Sequence, residues 1–235
     1  MTKVGAIAMA AMCLAPAAGA FELIGGTAEI NRSVPETDLG LYGPAVRGQA
    51  EFGLNNTFST QLDLGYSGYD LLDDDVTGAL HGIYRPNSVT TFGAYLGMDE
   101  ADGRNGTIYG LEGGLDLAPD LSAEAYFGGF DASDDTALLF GMALTRDLGG
   151  GLNARAGLDH ASADASGDNT RLNLGFDYAL SDRSGFYAEA GTSDTNLFGL
   201  DAGDTYIGAG IKLDFGGRGR TTFGRRIGLD LRPGY

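Results

Sequence analysis

The residues with most chemical capacity here are two histidines and a spaced set of charges. His81 and His160 are the chain's only histidines, and histidine is the side chain suited to moving protons near neutral pH. His160 has Asp159, Ser162 and Asp164 close by in sequence, the residue types of nucleophilic hydrolysis. Neighbours on an extended segment point to opposite faces, so these groups cannot all converge, and a third partner is not evident. His81 lies mid-segment in a polar phase, as a lining residue would. The larger signal is a set of charges in one phase: Arg47, Glu51, Asp63, His81, Arg85, Glu112, Asp116, Glu124, Arg155, Asp159, Arg171, Asp177, Glu189 and Lys212. Gln49, Gln61, Tyr95, Tyr126, Asn173 and Asp214 share it. Carboxylates outnumber cations, and such a wall holds water and favours cations over anions.

Placing these groups together requires strands. In 169–180, NTRLNLGFDYAL, Leu172, Leu174, Phe176 and Tyr178 fall on one face and Arg171, Asn173, Gly175 and Asp177 on the other. Period 2 is the mark of a strand. Twelve such segments are expected: 21–32 (poorly alternating), 46–54, 58–67, 76–85, 89–98, 107–117, 121–130, 136–146, 152–160, 170–180, 185–192 and 205–215. Short turns join alternate pairs at Asn55-Asn56, Arg85–Ser88, Ala118–Asp120, Gly149–Gly151 and Ser181–Arg183. Proline fixes φ there, glycine permits positive φ, and Asn and Asp tolerate turn conformations. The other connections, 33–45, 68–75, 99–106, 131–135, 161–169 and 193–204, read as longer, acidic loops in strict alternation with the short turns.

Composition bounds the rest. The chain has 235 residues, 40 glycines, six prolines and no tryptophan, with a net charge of −17. Residues 21–215 carry nine Lys/Arg against 31 Asp/Glu, whereas 216–235 carry five Arg against one Asp. So acidic a body excludes nucleic acid as its partner. Lys3, the apolar Val4–Ala15 and Ala18-Gly19-Ala20 read as a signal peptide over 1–20. Cys13 would leave with it, which suits an oxidising compartment. Beyond residue 20 no apolar run is long enough for a transmembrane helix.

These features converge on an all-β fold, an antiparallel transmembrane up-and-down β-barrel of about twelve strands. Short turns would face the periplasm, with Phe52, Phe58, Tyr84, Phe92, Tyr178, Phe186 and Phe215 as an aromatic girdle there. The last strand, TYIGAGIKLDF, resembles the assembly signal of bacterial outer-membrane proteins: Gly210, Ile211, Leu213 and the aromatic Phe215 match its alternation and ending. Taken whole, residues 1–215 resemble a porin-like barrel, although the chain continues for twenty residues past Phe215.

The resemblance implies the outer membrane of a Gram-negative bacterium and passive diffusion of small solutes, while twelve strands leave a narrow bore and the excess of lining carboxylates makes it cation-leaning. Its partners would be the barrel-assembly machinery, membrane lipid and lipopolysaccharide, with a homo-oligomer left open. It implies no cofactor and no metal; Asp73-Asp74-Asp75 lacks the spacing of a calcium loop and reads as a solvated charge run. The alternatives are a plugged barrel serving as scaffold or adhesin and, less favoured, a barrel hydrolase using His160. For the tail, 216–235, three placements stay open: a solvated periplasmic segment, a plug in the lumen, or a further strand over 220–231.

Overall fold

The computed structural model describes residues 22–35, 44–67, 75–101, 104–132, 135–163, 167–197, 200–217 and 221–224. The signal peptide expected over 1–20 and the tail beyond Gly224 lie outside the described residues. Twelve strands form: β1 (Glu22–Pro35), β2 (Ala45–Gly53), β3 (Phe58–Ser67), β4 (Asp75–Tyr84), β5 (Thr90–Ala101), β6 (Arg104–Ala118), β7 (Leu121–Ala132), β8 (Asp135–Gly149), β9 (Leu152–Ala163), β10 (Gly167–Ser181), β11 (Ser184–Leu197) and β12 (Leu200–Phe215). Each pairs antiparallel with its neighbour in sequence, and β1 pairs with β12 to close a barrel. Closure satisfies every edge, the condition for a sheet to sit in lipid.

The distribution of side chains is inverted relative to a water-soluble domain. Leu80, Leu96, Met98, Leu111, Leu174, Ile207 and Ile211 stand on the outside, each more than half exposed. The most buried side chains include Glu51, Gln61, Asp63, His81 and Glu112. Only a lipid surround makes that arrangement favourable, since bare apolar surface in water is costly and bonded polar groups inside are not. Phe58 stacks on Tyr84 with ring centroids 5.0 Å apart, and Tyr178 meets Phe186 at 5.6 Å. Both pairs belong to the aromatic band at the short-turn end.

The short turns are held locally. Asn55 Oδ1 accepts from the amides of Thr57 and Phe58, and Asn87 Oδ1 from those of Val89 and Thr90. Gly149, Gly150 and Gly151 all take positive φ, a run that other residues adopt only under strain. The irregular alternation of the first strand has a cause as well: a register shift between Leu23 and Gly25.

The other end departs from expectation. Connections read as long loops over 99–106, 131–135, 161–169 and 193–204 are mostly strand. Pairing runs on through Ala101↔Arg104, Ala132↔Asp135, Ala163↔Gly167 and Leu197↔Leu200, leaving two or three residues in each link. Ten or so residues cross a bilayer, so strands of 12 to 16 residues continue past it. Past it no lipid demands an apolar outer face, so the apolar period vanishes although the ladder continues. The loop reading of 33–45 and 68–75 falls chiefly on residues outside the described set. Asp75, taken as part of a solvated charge run, instead opens β4 and is 1% exposed; Asp73 and Asp74 lie outside the described residues.

Phe215 ends the strand that closes the barrel, with pairs from Gly26↔Phe215 to Pro35↔Tyr206. Of the 220–231 segment read as an alternative further strand, residues 221–224 are not strand and the others lie outside the described residues. The Phe215 ring covers Gly26, where an added Cβ would lie 2.1 Å from it. Gly26→Val is therefore expected to disrupt the seam, and the fraction of refolded protein migrating as a compact band in unheated gels should fall sharply.

Candidate functional site

The interior divides into three regions. Along β1, β2 and β6–β12, and down to the short-turn rim, runs a cavity of about 1110 Å³. Ten of the fourteen charged positions expected to face inward line it: Arg47, Arg85, Asp116, Glu124, Arg155, Asp159, Arg171, Asp177, Glu189 and Lys212. Gln49, Tyr126, Asn173 and Asp214 join them. Several are matched across strands: Lys212 Nζ donates to Asp177 at 2.8 Å, Arg171 to Glu189 at 3.2 Å, and Arg47 lies 3.7 Å from Glu29. Arg171 also lies over the Tyr206 ring, 4.5 Å from its centroid, and donates to its hydroxyl at 2.6 Å. Tyr126 donates to Asp159 at 2.9 Å.

The other four, Glu51, Asp63, His81 and Glu112, point inward but stand apart from this cavity. They form a buried polar block on β2, β3, β4 and β6. His81 Nδ1 lies 2.7 Å from Glu112 and Nε2 3.0 Å from Asp63. Gln61 and Gln49 donate to Asp63 as well, while Ser59 and Arg85 donate to Glu51. Both nitrogens of His81 are thus engaged by carboxylates and neither is free to serve a nucleophile.

The third region is apolar and was not legible as such. Tyr95, Ile108, Phe130, Ala137, Leu139 and Ala161 pack together inside the wall of β5–β9, toward the end away from the short turns. Tyr95 reaches across the cross-strand pair Gly110↔Gly128, and an added Cβ at either would come within 2.5 Å of its hydroxyl. Inward-facing apolar residues look like lapses in alternation, so only the three-dimensional register gathers them.

The hydrolase constellation is not assembled. His160 lies on the outer face, 4.9 Å from the Phe140 ring, with Nδ1 2.8 Å from the Thr170 hydroxyl. Asp159 points the other way into the lumen, and Ser162 donates to Asp168; Asp164 lies outside the described residues. No group of three metal-ligating side chains occurs among the described residues.

Phe223 completes the interior. It is 1% exposed and sits against the buried block on the inner wall, with Thr221, Thr222 and Gly224 beside it. These four residues of the tail lie against the inner wall of the barrel. Nothing local in the sequence marks this; the wall partners are 100 to 174 positions away.

The closed twelve-strand barrel is similar to the solved KdgM porin, with TM-score 0.60 and 12% identity over 80% of this chain and 99% of that one. It is similar also to the NanC porin, with TM-score 0.62 and 11% identity over 79% and 98%. The fold is that of an outer-membrane porin. No family model matches the sequence, and no curated protein does. The porin fold supplies the frame within which the three interior regions differ: a polar cavity, a buried polar block, and an apolar cluster toward one mouth.

Proposed function

We propose that this chain is a narrow passive channel of a Gram-negative outer membrane that passes small solutes with a modest preference for cations. The observation that carries the reading is the lining of the open cavity, where seven carboxylates (Glu29, Asp116, Glu124, Asp159, Asp177, Glu189, Asp214) face five cations. Fixed charges focused by a low-dielectric wall bias which ion enters. The KdgM porin has been solved in complex with disordered oligogalacturonate, a polyanion. An anion path of that kind is not favoured here, because Arg47, Arg171 and Lys212 each have a carboxylate alongside. The same reading has the Gly210–Phe215 strand deliver the chain to the assembly machinery, and its acidic far rim meet lipopolysaccharide.

Reversal potentials in planar bilayers under a KCl gradient test it. A cation-side potential is expected, and Asp116→Lys should move it toward chloride; an anion-selective wild type would overturn the reading. The runner-up is a plugged scaffold without transport, favoured by Phe223 and the apolar cluster. Liposome swelling with sugars and amino acids separates the two, since a scaffold gives none.

A further inference from the structure

The segment Thr221–Gly224 is held by a socket and not merely lodged in the bore. Three successive amides donate to side chains of the inner wall. Thr222 N reaches Glu51 Oε2 at 2.9 Å, Phe223 N reaches Gln61 Oε1 at 3.3 Å, and Gly224 N reaches Glu124 at 3.0 Å. The Phe223 carbonyl accepts from Gln61 Nε2 at 3.1 Å and Gln49 Nε2 at 3.3 Å. Gln61 therefore reads both polar groups of one residue, as a neighbouring strand would. The Thr222 hydroxyl donates to Glu51 at 2.7 Å and is contacted by Arg85, which also binds Glu51.

The aromatic ring has its own floor. An added Cβ at Gly93 would lie 2.7 Å from Phe223 Cε2, and one at Gly114 would lie 3.6 Å from Cε1. Two side chains are missing from the wall where the ring rests. Gly216 turns the chain back toward this site: its φ is +83° and an added Cβ would lie 2.9 Å from Gly25 Cα. Seven residues from Phe215 to Thr222 span at most about 23–25 Å, enough to reach the far wall.

We propose that the inner wall of β2–β7 is a peptide-binding site whose tethered occupant is Thr222-Phe223-Gly224, and that its occupancy throttles the channel from the short-turn side. The throttling rests on the channel reading above; the docking does not. Amide capture by carboxylates and carboxamides fixes the backbone, and the glycine-floored hollow selects an aromatic side chain. Charge complementarity adds to this, since Arg218, Arg220, Arg225 and Arg226 flank the bound residues in sequence and the barrel body is acidic.

Docking and throttling are tested separately. Cys13 is the chain's only cysteine, so in a Cys13→Ser background Thr222→Cys, which keeps the Phe223 ring, can be labelled with maleimide in the folded barrel and compared with Asp182→Cys in the exposed β10–β11 turn. Much slower labelling at 222 is expected; equal rates would overturn docking. For throttling, the chain truncated after Gly217 keeps Phe215 and should fold. Its single-channel conductance should be roughly twofold or more above full length, because the water-filled cross-section widens. A synthetic RGRTTFGRRI added to either side should lower it again, and RGRTTAGRRI should do so far less. Equal block by both peptides would mean charge alone acts and would overturn the aromatic socket. Unchanged conductance on truncation would overturn throttling. No conductance from either barrel would instead sink the channel reading and throttling with it, while the labelling result still decides the docking.

Discussion

Replacing His81 by leucine is expected to destabilise the barrel by about 3–5 kcal/mol, the usual cost of removing one partner from a buried charged cluster. His81 is fully buried between Asp63 and Glu112. Without it, Asp63 keeps the amide groups of Gln61 and Gln49, but both carboxylates lose the ring that lies between them, in an interior water does not readily reach. The measurement is the urea midpoint of the refolded barrel in liposomes, followed by tryptophan-free far-UV circular dichroism and gel mobility. The triple variant Asp63→Leu/His81→Leu/Glu112→Leu should recover much of the loss, because an apolar replacement of the whole cluster removes the desolvation cost along with the interaction. A single variant as stable as wild type would mean that the block contributes shape and not charge.

Phe130→Ala should act on both stability and permeation. The ring is 9% exposed, packs with Tyr95, Ile108 and Leu139, and covers Gly106, where an added Cβ would lie 2.1 Å from it. Truncating a buried phenylalanine costs about 3–5 kcal/mol when the site cannot collapse, and a barrel wall held by a closed ladder collapses poorly. The vacated space lies in the lumen, so conductance should rise while the denaturation midpoint falls. An apolar constriction also resists wetting; Phe130→Tyr, which keeps the volume and adds a hydroxyl, should raise conductance with little loss of stability. If Phe130→Ala weakens the barrel and leaves conductance unchanged, the cluster is packing and not a constriction.

The barrel was legible because lipid on one side and water on the other impose an unambiguous period of two. Eleven of the twelve strands follow from that contrast, the bulged β1 least of all, and Phe215 follows from its place at the end of the last. The period fails where the contrast fails. Asp99, Asp135, Asp168 and Asp201 lie in strand, and they read as loop because the sequence there carries no apolar period of two. Inside the barrel, fourteen charged positions could be assigned inward by phase, but phase carries no azimuth. It could not separate Arg171, beside the open cavity, from His81, buried across the lumen. Ile108 shares the inward phase of Glu112, and Phe130 that of Glu124 and Tyr126, yet their apolar character reads as lipid-facing. The docking of Phe223 was out of reach for a different reason: it depends on contacts with residues over a hundred positions away, and only the basic charge of the tail against an acidic body hinted at it.

The lopsided interior divides the strands by the kind of inheritance each can tolerate. Substitutions on the inward faces of β9–β12 meet mostly water and paired surface charges, so they can retune what passes at small structural cost. Those at Glu51, Gln61, Asp63, His81 and Glu112 strike a buried, interlocked block and the socket beside it, where nearly any change is felt as lost stability. A lineage carrying this barrel can therefore drift in selectivity along one sector while the opposite sector stays fixed, and engineering of the bore should begin on that permissive side.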